Sequence, residues 1–321
     1  GAVALVTAIL LDATSAVAQL PSWADRRQRD NAIQRRDPPR DARPSRNQAP
    51  VQSRDNAGQR QPQADQQSQQ RQRQEPPPQN TAERAACLNK ETPSATLIAA
   101  CTAIIDAARD KPAVLITAYT HRGEAYREKG EFDAAISDLG EAIKREARDV
   151  NLYYSRGLSH RAKGNLDAAI ADFDQALRLD PKNVAIYGSR SHAHYEKRDF
   201  DRAIQDLTQA IKVNPRHTLS IYNRAMTYRA KGEPDRAVPD FDLVLKMNPS
   251  DVFAFHNRGM AYRDMRDFDR AIRDFDQAIK INPKFIEAMN DRGLAYISKG
   301  ETDRAIEDFD QAIAVNPKDP L

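Results

Sequence analysis

The chain has 321 residues, two cysteines, 30% charged side chains and a formal net charge of +3. That length admits one or two domains. Residues 19–80 carry 12 Arg and no Lys against 7 acids, whereas residues 81–321 carry 37 basic and 38 acidic side chains. The basic excess therefore belongs to a tail, which excludes a basic folded surface and leaves a balanced, charge-laced one.

Residues 1–18, GAVALVTAILLDATSAVA, read as part of a secretory signal peptide. An apolar run from Ala2 to Leu11 leads to the small residues Ala16-Val17-Ala18, with cleavage expected before Gln19. The basic n-region is missing, so the signal is partial. The run is too short to span a bilayer and Asp12 interrupts it. No Cys follows Ala18 to carry a lipid, and no later segment is long and apolar enough to cross a membrane. The expected location is outside the cytoplasm, periplasmic or secreted.

Residues 19–80 are built from Gln, Arg, Pro, Asp and Ser, with Trp23 and Ile33 among the few large apolar side chains. Such a composition cannot offset the entropy of ordering its backbone, so a disordered linker is expected. Its clusters RRQR (26–29), RRD (35–37) and QRQRQ (70–74) suggest an electrostatic tether to an anionic surface. Interspersed Asp, the lack of interleaved aromatics and the predicted export count against nucleic acid. A solvated spacer is the simpler reading.

Residues 81–115 read as a degenerate helical cap holding both cysteines. LIAACTAII (97–105) lines up with AIEDFDQAI (305–313), which places Cys101 on a second helix, and Cys87 precedes the turn around Thr92-Pro93-Ser94. Antiparallel helices can bring two such sulfurs within bridging distance. An even cysteine count in an exported chain points to a Cys87–Cys101 disulfide, stabilising that end by roughly 2–4 kcal/mol. Two separate buried thiols are the alternative. No His lies near either Cys in sequence, which counts against a metal site.

From residue 116 onward the same sentence returns every 34 residues. Gly123, Gly157, Gly259 and Gly293 share a column with Ser191 and Ala225; Tyr126, Tyr228, Tyr262 and Tyr296 share one with His160 and His194. Ladders such as Ala169/Phe173/Ala176 and Ala271/Phe275/Ala278 follow, and Pro181, Pro215, Pro249, Pro283 and Pro317 close the units. Each unit reads as helix, turn, helix; in the fifth, Val252–Met265 and Phe268–Ile281 carry apolar residues at helical spacing. Gly130, Gly164, Gly232 and Gly300 mark the turns, and an Asp column (Asp133 to Asp303) at the head of the second helices suits the positive end of the dipole.

This period, with small–aromatic–small columns and a closing proline, resembles the tetratricopeptide repeat (TPR). Six copies are legible, at about 116–149, 150–183, 184–217, 218–251, 252–285 and 286–319. The resemblance implies an all-α fold: a right-handed superhelix, or α-solenoid, of stacked helix-turn-helix units, preceded by the disordered segment. CLNKETPSATLIAACTAII is similar to the leader unit of exported alphaproteobacterial TPR proteins.

Two charge columns are complete. Arg122, Arg156, Arg190, Arg224, Arg258 and Arg292 each have an Asp 16 residues later, from Asp138 to Asp308. Constant co-occurrence argues for a repeated intramolecular ion pair rather than an anion-binding ladder. The resemblance places a concave wall on the exposed face of the first helices. That wall is expected to present Arg127; Tyr154, Leu158 and Arg161; His192 and Tyr195; Tyr222, Asn223, Met226 and Arg229; Phe253, His256, Asn257, Met260 and Arg263; and Asn290. Arg127, Arg161, Arg229 and Arg263 share one slot with no acid at a constant spacing. Arg beside Tyr, Phe and Met is the composition of interface anchors. A peptide with acidic and apolar residues is the best-matched guest, since guanidinium grips carboxylate bidentately.

Asn223 and Asn257 match asparagine slots of the carboxylate clamp found in some TPR proteins. Its lysine slot here holds Thr120, Tyr154, Gly188, Tyr222, His256 or Asn290, so chaperone-tail binding is not expected. No Ser/His/Asp set, metal-spaced cluster or glycine-rich phosphate loop occurs, so no catalytic residue, metal or cofactor is predicted. The expectation is a non-catalytic scaffold or adaptor binding a protein or peptide in its groove, within the cell envelope. The alternatives are self-association through an uncapped face near Tyr296, Phe309 and Ile313, and polyanion binding by residues 19–80.

Overall fold

A computed structural model describes residues 81–107 and 111–316 of the chain. The signal-peptide reading (1–18), the linker with its arginine clusters (19–80) and Pro317 lie outside the described residues.

Fourteen helices make up the described residues, with no strand among them. They are α1 (Thr81–Leu88), α2 (Ser94–Ala107), α3 (Pro112–Glu128), α4 (Phe132–Arg145), α5 (Val150–Ala162), α6 (Leu166–Leu179) and α7 (Val184–Glu196). The rest are α8 (Phe200–Val213), α9 (Thr218–Lys231), α10 (Pro234–Met247), α11 (Val252–Asp264), α12 (Phe268–Ile281), α13 (Ile286–Lys299) and α14 (Thr302–Val315). Each packs on the next in sequence, so the fold is an all-α solenoid of helix pairs.

The turns follow from backbone chemistry. Gly130, Gly164, Gly232 and Gly300 hold left-handed φ between 79° and 86°, which reverses the chain between the helices of a pair. The second helices stop where a proline forces its predecessor out of helical geometry; Asp180, Asn214, Asn248 and Asn282 are extended, with φ from −126° to −136°. Within a pair the first helix rides close on the second. A Cβ on Gly157, Gly259 or Gly293 would come within 2.7–2.8 Å of the Phe173, Phe275 or Phe309 ring. Phe173, Phe241 and Phe275 are fully buried, with an alanine fully buried four residues before each ring.

The arginine and aspartate columns meet in all six repeats. In the fourth, Arg224 donates from Nε and Nη2 to both carboxylate oxygens of Asp240, at 2.8 and 2.7 Å. The aspartates are all buried. A third donor reaches back to the preceding second helix: Arg190 to Asp174, Arg258 to Asp242 and Arg292 to Asp276, at 2.5–2.6 Å. Each of these three arginines therefore ties its own helix to two others.

The aspartates at the head of the second helices do something the sequence did not suggest. They lie one residue past the first helical position and make no cap bond. Asp133, Asp167, Asp201 and Asp269 instead pair with Lys163, Lys197, Lys231 and Lys299 of the following repeat. Among the second helices, the side chains that do cap are Asp199 and Asp267, which take the N–H of Arg202 and Arg270.

Cys87 and Cys101 are joined in a disulfide between α1 and α2, with Cα atoms 4.9 Å apart, and neither sulfur-bearing residue is exposed. The bridge lies in an apolar cluster with Leu97, Ile104 and Ala118. The carbonyl of Cys87 is 2.7 Å from Nδ1 of His121, which fastens this end to α3.

Candidate partner-binding wall

The first helices of successive repeats approach one another directly: α3 to α5, α5 to α7, α9 to α11 and α11 to α13. No two second helices are as closely apposed. An array whose first helices are closer together than its second helices curves toward the first helices, so their faces form the inner wall.

Hydrogen bonds cross this wall at a separation of 35 residues. Tyr154 Oη is 3.1 Å from Ser189 Oγ; Asn257 donates from Nδ2 to Tyr222 Oη at 2.7 Å; His256 Nε2 is 2.7 Å from Asp291 Oδ2. The rings involved also pack inward: Tyr154 on Phe173, Tyr222 on Phe241 and His256 on Phe275, with centroids 6.0, 5.6 and 5.7 Å apart. At the α3–α5 junction Thr120 turns its hydroxyl back to the carbonyl of Ile116. Two asparagines carry a buried, unpartnered side-chain oxygen: Asn223 and Asn290.

Three of the four wall arginines also reach the next first helix. Arg229 pairs with Asp264 at 2.7 Å, Arg263 with Asp291 at 2.5 Å, and Arg161 lies 4.0 Å from Glu196 and beside His192. Asp264 and Glu196 stand 35 residues on, where Arg127 meets Ala162. Among the described residues Arg127 has no ion-pair partner, and its Nε is buried without an acceptor. Burial works against ionisation of Asp291, but hydrogen bonds and charge from His256 and Arg263 outweigh it and hold the carboxyl below its ordinary range.

The predicted wall residues thus divide by how far they remain accessible. Tyr222 and Asn223 lie inside the wall, held between helices. Arg127, Tyr154, Leu158, Arg161, His192, Tyr195, Met226, Arg229, His256, Asn257, Met260, Arg263 and Asn290 are half-buried, and Phe253 is exposed. Tyr195 packs edge-on against Phe200, and burial pushes its phenol up. Sequence reading missed Ser189, Glu196, Asp264 and Asp291 as the partners of these side chains. A scan at a separation of 35 rather than 34 would have found all four, Asp291 through His256.

On the opposite side of the last pair, Tyr296 is covered rather than open. Arg304 lies 4.0 Å above its ring and donates to its hydroxyl at 2.5 Å. The large apolar side chains exposed on α14 are Ile306, Ile313 and Val315.

A family model for the tetratricopeptide repeat matches residues 121–184, 189–252 and 256–320, more than half of the sequence. The chain belongs to the tetratricopeptide-repeat family. The C-terminal part of a TPR protein from Cytophaga hutchinsonii shares 19% identity at a TM-score of 0.64, over 74% of this chain and 96% of that one. A TPR protein from Parabacteroides merdae shares 18% at 0.54, over 70% and 87%. Pseudomonas aeruginosa PilF shares 16% at 0.51, over 65% and 95%. These likenesses show a common TPR fold. No curated protein sequence matches the chain. TPR solenoids are scaffolds for protein–protein interaction, and that is the class in which this chain stands.

Proposed function

We propose that this TPR protein is a non-catalytic adaptor that holds a partner protein or peptide along the wall of first helices, the guest bearing acidic and apolar residues. The observation that carries this reading is Arg127. Its three equivalents draw a carboxylate from the next helix, whereas Arg127 draws none, so a guest carboxylate can take that place bidentately. Half-exposed Leu158, Met226 and Met260 and exposed Phe253 offer apolar contact farther along. The signal-like residues 1–18 and the disulfide support an exported protein working in the cell envelope.

The test is a pull-down from envelope extract with the full chain, Arg127→Glu and Met260→Asp. The expected result is one partner retained by the parent and lost from both variants, with all three equally helical by circular dichroism. Equal recovery by all three would overturn the wall as the working surface.

Exposed Ile306 and Ile313 favour a second reading, self-association through α14. Light scattering across concentration decides it: a dimer abolished by Ile306→Asp supports this reading, and a monomer at every concentration removes it.

A further inference from the structure

The ladder of contacts at a separation of 35 is broken at two places: at α3–α5, where Thr120 bonds back within its own helix, and between α7 and α9. At the three intact rungs a residue in the slot of Tyr154, Tyr222 and His256 meets one in the slot of Ser189, Asn257 and Asp291. The same reach from Asn223 ends at Gly188, which has no side chain to offer. A Cβ built on Gly188 meets nothing within 4 Å, so the point from which a tyrosine reaches across one repeat before and one repeat after is open. Asn223 is only 8% exposed, and its Oδ1 is buried with no hydrogen-bond partner.

A buried amide oxygen without a donor is costly and uncommon in folded proteins. Glycine inside a helix is likewise unfavourable relative to alanine. Both occur here at one point on the wall already assigned to partner binding.

We propose that the Gly188–Asn223 notch is a subsite for a tyrosine side chain of the bound partner. It rests on the wall being the binding surface and adds what one of its positions selects. The occupant's chemistry follows from the intact rungs, where Tyr154 and Tyr222 show that a ring with a terminal hydroxyl spans this distance. A phenol hydroxyl donates to an amide oxygen and accepts from an amide nitrogen, so it satisfies Asn223 in either orientation of the amide. Phenylalanine would fill the space and leave the amide unpaired. An ammonium or a carboxylate would satisfy one orientation only and bring a charge into a buried position. Residues 1–80 cannot supply the group: they contain no tyrosine, and Trp23 is their one aromatic.

The test uses p-cresol, the tyrosine side-chain analogue, and toluene, its counterpart without the hydroxyl, titrated into the full chain and followed by the Gly188 backbone and Asn223 side-chain amide signals. The expected result is a saturable shift with p-cresol, roughly tenfold weaker with toluene because one hydrogen bond is missing. Gly188→Tyr should abolish the response by filling the notch from within. Asn223→Ala should bind both probes equally, and this second variant keeps the test valid should Gly188→Tyr fold poorly. No shift at either amide, equal response to the two probes, or p-cresol binding that survives Gly188→Tyr in a folded protein would each overturn the subsite. Failure of the wall itself reads differently, as partner recovery unaffected by Arg127→Glu.

Discussion

Arg198 and Arg266 hold φ of 61° and 62° at the turn where four other repeats have glycine. A side chain in the left-handed region costs roughly 1–2 kcal/mol, partly offset because glycine loses more entropy on folding. Arg266→Gly should therefore stabilise by about 0.5–1 kcal/mol, seen as a higher urea midpoint at unchanged slope. Two helical glycines give a sharper contrast. At Gly188 an added Cβ meets open space, so Gly188→Ala should stabilise by about 0.5–1 kcal/mol. At Gly259 the same methyl comes within 2.7 Å of the Phe275 ring and 3.2 Å of the Ala271 carbonyl. There the overpacking term, typically 1–3 kcal/mol, outweighs helix propensity, and Gly259→Ala should lower the urea midpoint. Propensity alone assigns both substitutions the same sign; the neighbours separate them.

Between paired helices, the buried Arg–Asp bonds and the two histidines in the tyrosine column set the response to mutation and pH. Removing Asp240 strands Arg224 without its bidentate partner. Asp240→Ala should cost about 3 kcal/mol, the low end for a broken buried pair because a fifth of the Arg224 side chain stays exposed. Burial pushes the His160 and His194 imidazoles below their ordinary range, against the pull of Asp172 and Asp206. A base with a depressed folded pKa binds fewer protons folded than unfolded. Its stability contribution is complete above the unfolded value of about 6.5 and declines as pH falls through it. Melting temperature should therefore drop from pH 7 to pH 5. His160→Tyr with His194→Tyr, the residue the other four repeats use, should flatten that slope. The Asp291 cluster acts in a separate window: its depressed carboxyl contributes above about pH 4 and loses that contribution on further acidification.

Along the whole array each repeat touches only its neighbours, so stability is a sum of local and interface terms. The disulfide acts at one end of that sum. Reducing Cys87–Cys101 should cost about 3 kcal/mol for so short a loop. Hydrogen exchange should show lost protection in α1 and α2 while α9 to α14 are unchanged; uniform loss would mean that the array unfolds as one unit. Sequence by itself determined the period, the helix pairs, their glycine and proline stops, and the Arg–Asp bonds. All of these lie inside one repeated unit, where the separation is constant and the same residue types recur in columns. The contacts between first helices were decided only by the tertiary structure. Tyr154–Ser189, Asn257–Tyr222 and His256–Asp291 share a geometry but no residue type, and Arg263 finds its carboxylate at a different spacing from Arg161 and Arg229. A column reading detects identity, whereas a hydrogen bond requires only complementarity between two groups brought within reach. The unpaired Arg127 and the empty place at Gly188 became visible once the folded neighbours showed what each position lacks.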